Sequence, residues 1–187
     1  GIIAVVGFIV GTLLYVAYVT FILKTTNSHL VEIFALLTVI LFLTGVGLVD
    51  DILGWRRGGL SKRSRLILVF ISAIPLMAIN AGKSIISIPL LGGVDLGIIY
   101  PLIIIPVGIV GATTTFNFLA GYNGLEAGQG IIILTASALV ALFTGNSWLS
   151  VIAFCMIASL IAFLFYNFYP ARIFPGDSLT YAVGGLI

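Results

Sequence analysis

Charge is missing from long stretches of this chain. Residues 1–23, 33–49, 66–82 and 96–125 carry none, and neither do the forty-five residues 127–171. A bilayer core takes about 20 consecutive apolar residues per helix. Breaking the chain at its charges, prolines and Gly/Asn/Ser clusters leaves segments of that length. The pattern predicts six full spans, at 2–23, 32–53, 65–81, 98–119, 129–145 and 148–168, and the start of a seventh near Ser178. Spans five and six are joined by Thr144-Gly145-Asn146-Ser147, which reads as a tight helical hairpin.

Residues 83–97, KSIISIPLLGGVDLG, break the apolar pattern. Ile85, Ile86 and Ile88 flank Ser87 and Pro89, with Gly92-Gly93 as a turn, which predicts a short β-hairpin outside the membrane. The expected fold is therefore an all-α polytopic membrane protein. It has six full transmembrane helices, the start of a seventh and a short extracytoplasmic β-hairpin, in a single transmembrane domain over residues 1–187.

Composition excludes the soluble alternative. The chain is 61% hydrophobic and 7% charged, against roughly 25% charged residues in a soluble domain. Its single cysteine, Cys155, lies in an apolar run, so neither a disulfide framework nor a cysteine metal site is available. The first residue is Gly1, inside an apolar stretch, and the last is Ile187, inside another. No signal-peptide pattern precedes them, and the expectation is the interior of a longer protein.

The distribution of charge says more than its sum. Asp50 and Asp51 stand side by side where an apolar run ends, and Arg56, Arg57, Lys62, Arg63 and Arg65 follow within fifteen residues. By the positive-inside rule the loop 54–65 is cytoplasmic. Alternating the spans puts Arg172 on the same side and only Lys24 and Lys83 opposite. Asp50-Asp51, NFLAGYNGLEAG (117–128) and RIFPGDS (172–178) then all face the cytoplasm. Carboxylates near a bilayer are expensive and commonly functional, and three such clusters on one face suggest one site.

Each cluster has a plainer reading beside the chemical one. Adjacent helical residues point about 100° apart, so Asp50 and Asp51 must face different partners. One could meet a metal or phosphate while the other meets a base or Lys62; alternatively both form a polar helix end with Arg56 and Arg57. Asn117 and Asn123 sit in a Gly-rich stretch where a ligand could approach main-chain N–H groups, or where a helix is simply capped. Asp177 could cap the helix that it opens. Arg56, Arg57, Arg63 and Arg65 read equally well as topology markers and contacts to anionic lipid, so among the cations the catalytic expectation rests on Lys62. Oxygen donors without a His or Cys cluster suit Mg²⁺ held together with substrate phosphates. His29, the sole histidine, falls in an outer loop.

The aspartate pair, NFLAGYNGLEAG and YPARIFPGDS (169–178) together resemble the polyprenyl-phosphate N-acetylhexosamine-1-phosphate transferases. The NGLEAG wording is most similar to the eukaryotic and archaeal UDP-GlcNAc–dolichyl-phosphate GlcNAc-1-phosphate transferases. The resemblance implies Mg²⁺-dependent transfer of GlcNAc-1-phosphate from UDP-GlcNAc to polyprenyl or dolichyl phosphate, with release of UMP. This would be the first step of lipid-linked glycan assembly. The setting it implies is a multi-pass protein of the archaeal plasma membrane or endoplasmic reticulum, with its active site facing the cytoplasm. Membrane lipids surround it, nucleic acid is not a partner, and a homodimer is open to it.

Matched position by position, the resemblance implies Asn117 and Asp177 as metal ligands and Asp50, Asp51 and Lys62 as catalytic residues. Gly121 and Asn123 match a uridine pocket, and Phe174 matches the aromatic that stacks on uracil. Gly54 departs from the Asn common in relatives. The first span and the basic sugar-recognition loop of the family would lie outside residues 1–187. A transporter using intramembrane carboxylates is the rival class, and it expects them near mid-membrane rather than at span ends; a non-catalytic scaffold subunit is another.

The six-to-two division of cations gives a topology test. In a Cys155→Ala background, Gly58→Cys and Asn123→Cys should be labelled only from the cytoplasmic side and Leu91→Cys only from the other. Labelling of Gly58→Cys and Asn123→Cys from opposite sides would break the single-site argument.

Overall fold

The structure is a computed structural model that describes residues 1–24, 28–88 and 92–187, with the side chains of 55–57 and 86–88 outside the described set. Helix α1 (Ile2–Ala17) runs on through a looser π-helical turn at Tyr18–Ile22. Helix α2 (Leu30–Arg57) is the longest, and it ends at Gly58 in the left-handed conformation. Then come α3 (Lys62–Ser72), α4 (Ile74–Ile79), α5 (Ile105–Phe118), α6 (Leu125–Phe143), α7 (Ser147–Asn167) and α8 (Gly176–Leu186). A π-helical turn at Tyr100–Ile104 leads into α5.

Among the described residues, five helical segments are long and apolar enough to cross a bilayer: Ile2–Ile22, Leu30–Gly54, Tyr100–Phe118, Leu125–Phe143 and Ser147–Asn167. Large apolar side chains such as Ile3, Phe21, Ile132 and Phe143 stand exposed on them, as expected of surfaces that meet lipid. The expected span at 65–81 is the exception and needs correction. It is two short helices that break at Ala73, with Pro75 in the first turn of the second. Proline has no N–H to donate and its ring blocks the preceding turn, so the apolar run does not form one rod.

Between α4 and α5, strand β1 (Ile85–Ile88) pairs antiparallel with β2 (Gly92–Asp95), Ile85 opposite Asp95 and Ile88 opposite Gly92. The expected turn at Gly92-Gly93 is displaced, because both glycines lie within β2. Pro89, Leu90 and Leu91 are outside the described residues.

The bundle closes around α8. This helix packs against α2 and α5, while α6 pairs with α7 and α1 lies on α7. Seven consecutive residues of α8, Ser178 to Gly184, are buried. One apolar core joins α1, α2, α5, α6, α7 and α8 through residues such as Phe8, Ile40, Phe116, Leu134, Leu160 and Leu179. A second, of Val39, Leu43, Val69 and Tyr181, ties α3 to the α2–α8 pair.

Close approach of α2 and α8 depends on Gly47. An added Cβ there would lie 2.6 Å from the Ser178 backbone nitrogen, whereas one at Gly45 would meet nothing within 4 Å. Gly47→Ala should therefore cost about 1–3 kcal/mol by overpacking. Gly45→Ala should be neutral or gain up to about 1 kcal/mol from helix propensity. Thermal unfolding of the two variants in detergent checks this, and equal melting temperatures would refute the close approach.

Candidate active site

Asp50 and Asp51 sit in the last turns of α2 and part company as adjacent helical residues must. Asp50, only 2% exposed, faces the loop into α3. Gly58 and Gly59 both adopt positive φ, at 80° and 83°, a region that side-chain-bearing residues avoid. That turn folds the chain back so that the Leu60 N–H donates to Asp50 Oδ1 at 2.7 Å. A Cβ on Gly59 would fall 2.7 Å from the same oxygen. Ser61 then caps α3, its Oγ accepting from the Ser64 N–H. One turn into α3, the Arg65 Nη2 meets Asp50 Oδ2 at 2.5 Å and reaches within 3.9 Å of Asp177 Oδ2.

Asp51 turns the other way, to the start of α8. Its Oδ1 accepts from the Asp177 N–H at 2.7 Å and its Oδ2 from the Ser178 N–H at 3.1 Å. The first N–H groups of a helix have no partner within it, and a carboxylate there is also favoured by the helix dipole. Gly176, at φ 65°, leaves room for this contact: a Cβ there would lie 2.6 Å from Asp51 Oδ2.

The arrangement crowds charge. At the first turn of α8, outside the five spans, burial pushes the Asp177 carboxyl up to about 6; hydrogen bonding to Asp50 and the charges of Asp50 and Asp51 add to this, and Arg65 opposes it. Three carboxylates against one guanidinium leave a formal charge of −2 when all are ionised. A surplus made of oxygen donors suits a hard divalent cation. Among the described residues no three His, Cys, Asp or Glu side chains come together in metal-holding geometry, so the fit is to a cation that takes further oxygens from a ligand.

Asn117, near the end of α5, joins the cluster through α8. The Thr180 hydroxyl donates to Asn117 Oδ1 at 2.7 Å and lies 3.2 Å from the Asp177 carbonyl. Thr180 is three residues beyond Asp177, which places the two on one face of the helix.

Beyond α5 the chain enters the Gly-rich loop. The Gly121 N–H donates to Glu126 Oε1 at 2.8 Å, and the Gly124 N–H donates to Asn167 Oδ1 at 3.0 Å. Between these two ties, Tyr122 and Asn123 are exposed. Asn167, the last residue of α7, also donates from Nδ2 to the Ile173 carbonyl at 2.8 Å. Ile173 precedes Phe174, whose ring is 68% exposed.

Asp50, Asp51 and Asp177 thus come together, with Asn117 attached through Thr180. Gly121, Asn123 and Phe174 lie on two loops that Asn167 links. Lys62 is exposed in the first turn of α3, and the cation paired with Asp50 is Arg65, three residues later. Sequence reasoning set Arg65 aside as a topology marker and did not single out Thr180, Glu126 or Asn167. The signal for Arg65 was its spacing of one helical turn from Lys62.

Removing Arg65 leaves Asp50 buried without its counter-charge. Loss of one partner of a buried pair costs about 3–5 kcal/mol, and because the Arg65 side chain stays 27% exposed the effect should fall at or below the low end. Arg65→Met should lower the melting temperature, and Asp50→Asn combined with it should cost less than the two changes added. A strictly additive double variant would deny the pairing.

The chain is 44% identical to a Saccharolobus solfataricus protein provisionally named as a UDP-N-acetylglucosamine–dolichyl-phosphate N-acetylglucosaminephosphotransferase, over 79% of the chain and 45% of the relative. It is 36% identical to the Sulfolobus acidocaldarius protein of the same provisional name, over 100% of the chain and 55% of the relative. The Dictyostelium discoideum UDP-N-acetylglucosamine–dolichyl-phosphate N-acetylglucosaminephosphotransferase is 32% identical over 98% of the chain and 52% of its own length. The chain spans about half the length of these curated relatives. Residues 33–187 match the family model described as glycosyl transferase family 4, and the chain belongs to that family.

Proposed function

We propose that the protein transfers GlcNAc-1-phosphate from UDP-GlcNAc to a polyprenyl or dolichyl phosphate at the cytoplasmic membrane face, releasing UMP, as the first step of lipid-linked glycan assembly. The observation that carries this reading is the meeting of Asp50, Asp51, Arg65 and Asp177 where α2, α3 and α8 converge. The substrates are those named for the relatives.

In this reaction an oxygen of the lipid phosphate forms a bond to the phosphorus that carries the sugar, and the bond from that phosphorus to the UMP oxygen breaks. Both substrates are anionic, so the site must hold phosphate against its own carboxylates. Arg65 pairs with Asp50 and holds it in place, and Lys62, exposed one turn earlier, can swing toward an incoming phosphate as a flexible point charge. Asp51 fixes the height of α8 and hence of Asp177. Asn117 and Asp177 would hold Mg²⁺, which when bound would polarise the donor pyrophosphate. Gly121, Asn123 and Phe174 would receive the uridine, the exposed ring of Phe174 offering a face on which uracil can stack.

A lipid-borne nucleophile and a water-soluble nucleotide meet only at the membrane surface, and the carboxylates stand at helix ends. A transporter would place them near mid-membrane, whereas Asp50 and Asp51 lie in the last turns of the Leu30–Gly54 span.

The test uses the full-length protein. UMP should be released from UDP-GlcNAc in the presence of polyprenyl phosphate, and Asp50→Asn or Asp51→Asn should each lower turnover at least about 100-fold. Because Mg²⁺ gives up its waters reluctantly, it should bind well only with the donor pyrophosphate, so metal and nucleotide should raise each other's affinity by the same factor. Asp177→Asn should abolish that coupling in calorimetric titrations run with Mg²⁺ and with chelator. A nucleotide affinity indifferent to Mg²⁺ would sink the metal assignment, and the absence of any nucleotide binding would sink the transferase reading.

A further inference from the structure

We infer that Asn167 is a positioning residue that holds the two halves of the donor nucleotide pocket at a fixed separation, an inference that rests on the transferase reading above. Asn167 ends α7, is 1% exposed, and lies forty-three residues from Gly124 in sequence. Its single amide uses both ends. Oδ1 accepts from the Gly124 N–H at 3.0 Å, and Nδ2 donates to the Ile173 carbonyl at 2.8 Å. Gly124 follows Asn123 directly, and Ile173 directly precedes Phe174. One planar group therefore spans from the loop of Gly121 and Asn123 to the loop of Phe174.

The surroundings make the tie specific. The near end of the first loop is held separately, by Glu126 accepting from the Gly121 N–H, so the segment between is fastened at both ends while Asn123 stays exposed. The second loop doubles back on α7, with the Arg172 N–H donating to the Tyr166 carbonyl at 2.8 Å. That return brings Ile173 alongside Asn167. Neither loop has strand or helix pairing to the other, so the amide supplies their common reference point. A buried amide that loses a partner leaves an unsatisfied group on both loops, and the loops then settle at a new spacing. A base held by Asn123 on one side and Phe174 on the other would feel that change directly.

The experiment measures steady-state kinetics of UMP release by the full-length protein, varying UDP-GlcNAc and polyprenyl phosphate in turn. Asn167→Ala cuts both ties. Asn167→Asp is nearly isosteric, keeps an acceptor for Gly124 and turns an oxygen toward the Ile173 carbonyl; it serves if the alanine variant fails to fold. Donor KM should rise about tenfold or more in each, as misplacement of a binding group predicts, while acceptor KM and kcat stay within a few-fold. A folded variant with unchanged donor KM overturns the inference, as does a fall in kcat and melting temperature with both KM values unmoved, the pattern of a merely structural residue. A wild-type protein that releases no UMP overturns the transferase reading and takes the inference with it. An active wild type with an indifferent Asn167 overturns the inference alone.

Discussion

Two backbone N–H groups at the start of α8 need an acceptor, and Asp51 provides it. In water those groups would be hydrated; packed inside a helical bundle they must find protein oxygen or remain costly. Using both carboxylate oxygens on consecutive N–H groups sets the height of α8 against α2. Asp177 then lies beside Arg65 and Asp50, and Thr180, on the same face, meets Asn117. The two glycines at the contact follow from the same demand, since side chains at Gly47 or Gly176 would occupy the space the interaction uses. The placement of Asp177, Arg65 and Asn117 is thus a consequence of how one helix start is satisfied.

Holding this much negative charge at a membrane boundary needs a counter-charge that is itself anchored. The Gly58-Gly59 turn supplies it by reversing the chain, so that α3 begins beside the end of α2 and Arg65 returns to Asp50. A longer connection would give the guanidinium more freedom and the pair less definition. The remaining surplus is left for a ligand to settle, which is what the proposed metal–pyrophosphate complex would require: with too little charge the cation would not come, and with too much the anionic donor would be repelled.

Much of this was legible in the chain. The apolar runs marked five helices long and apolar enough to cross a bilayer, and the polar clusters marked residues that the fold brings together, because both signals are local. Spacing of charges even required Asp50 and Asp51 to face different partners. What the pattern did not carry was pairing across distance. Nothing in the run 65–81 except Pro75 announces that it divides at Ala73. The glycines chosen as the turn at 92–93 are strand residues, because Gly permits both roles. Lys62 and Arg65 differ by one helical turn, and only the reversal at Gly58-Gly59 decides which of them meets Asp50. Asn167, an isolated amide ending a long apolar helix, looks like a simple helix stop until the loops on either side of it are seen together.

The elements differ in what positions them. The five long helices can be oriented by lipid, since their exposed apolar faces and their length suit a bilayer. Helix α8 is buried over seven consecutive residues, so protein contacts place this stretch. Those contacts come from α2 through Asp51, from α3 through Arg65 and from α5 through Asn117. The two nucleotide-side loops attach to the segment just before it, through Asn167 and Ile173. Asp50, Asp51 and Asn117 are therefore referenced, directly or by one intermediate residue, to the buried stretch of α8. A site built this way takes its internal spacing from protein contacts, which suits the proposed joining of a membrane substrate to a soluble one.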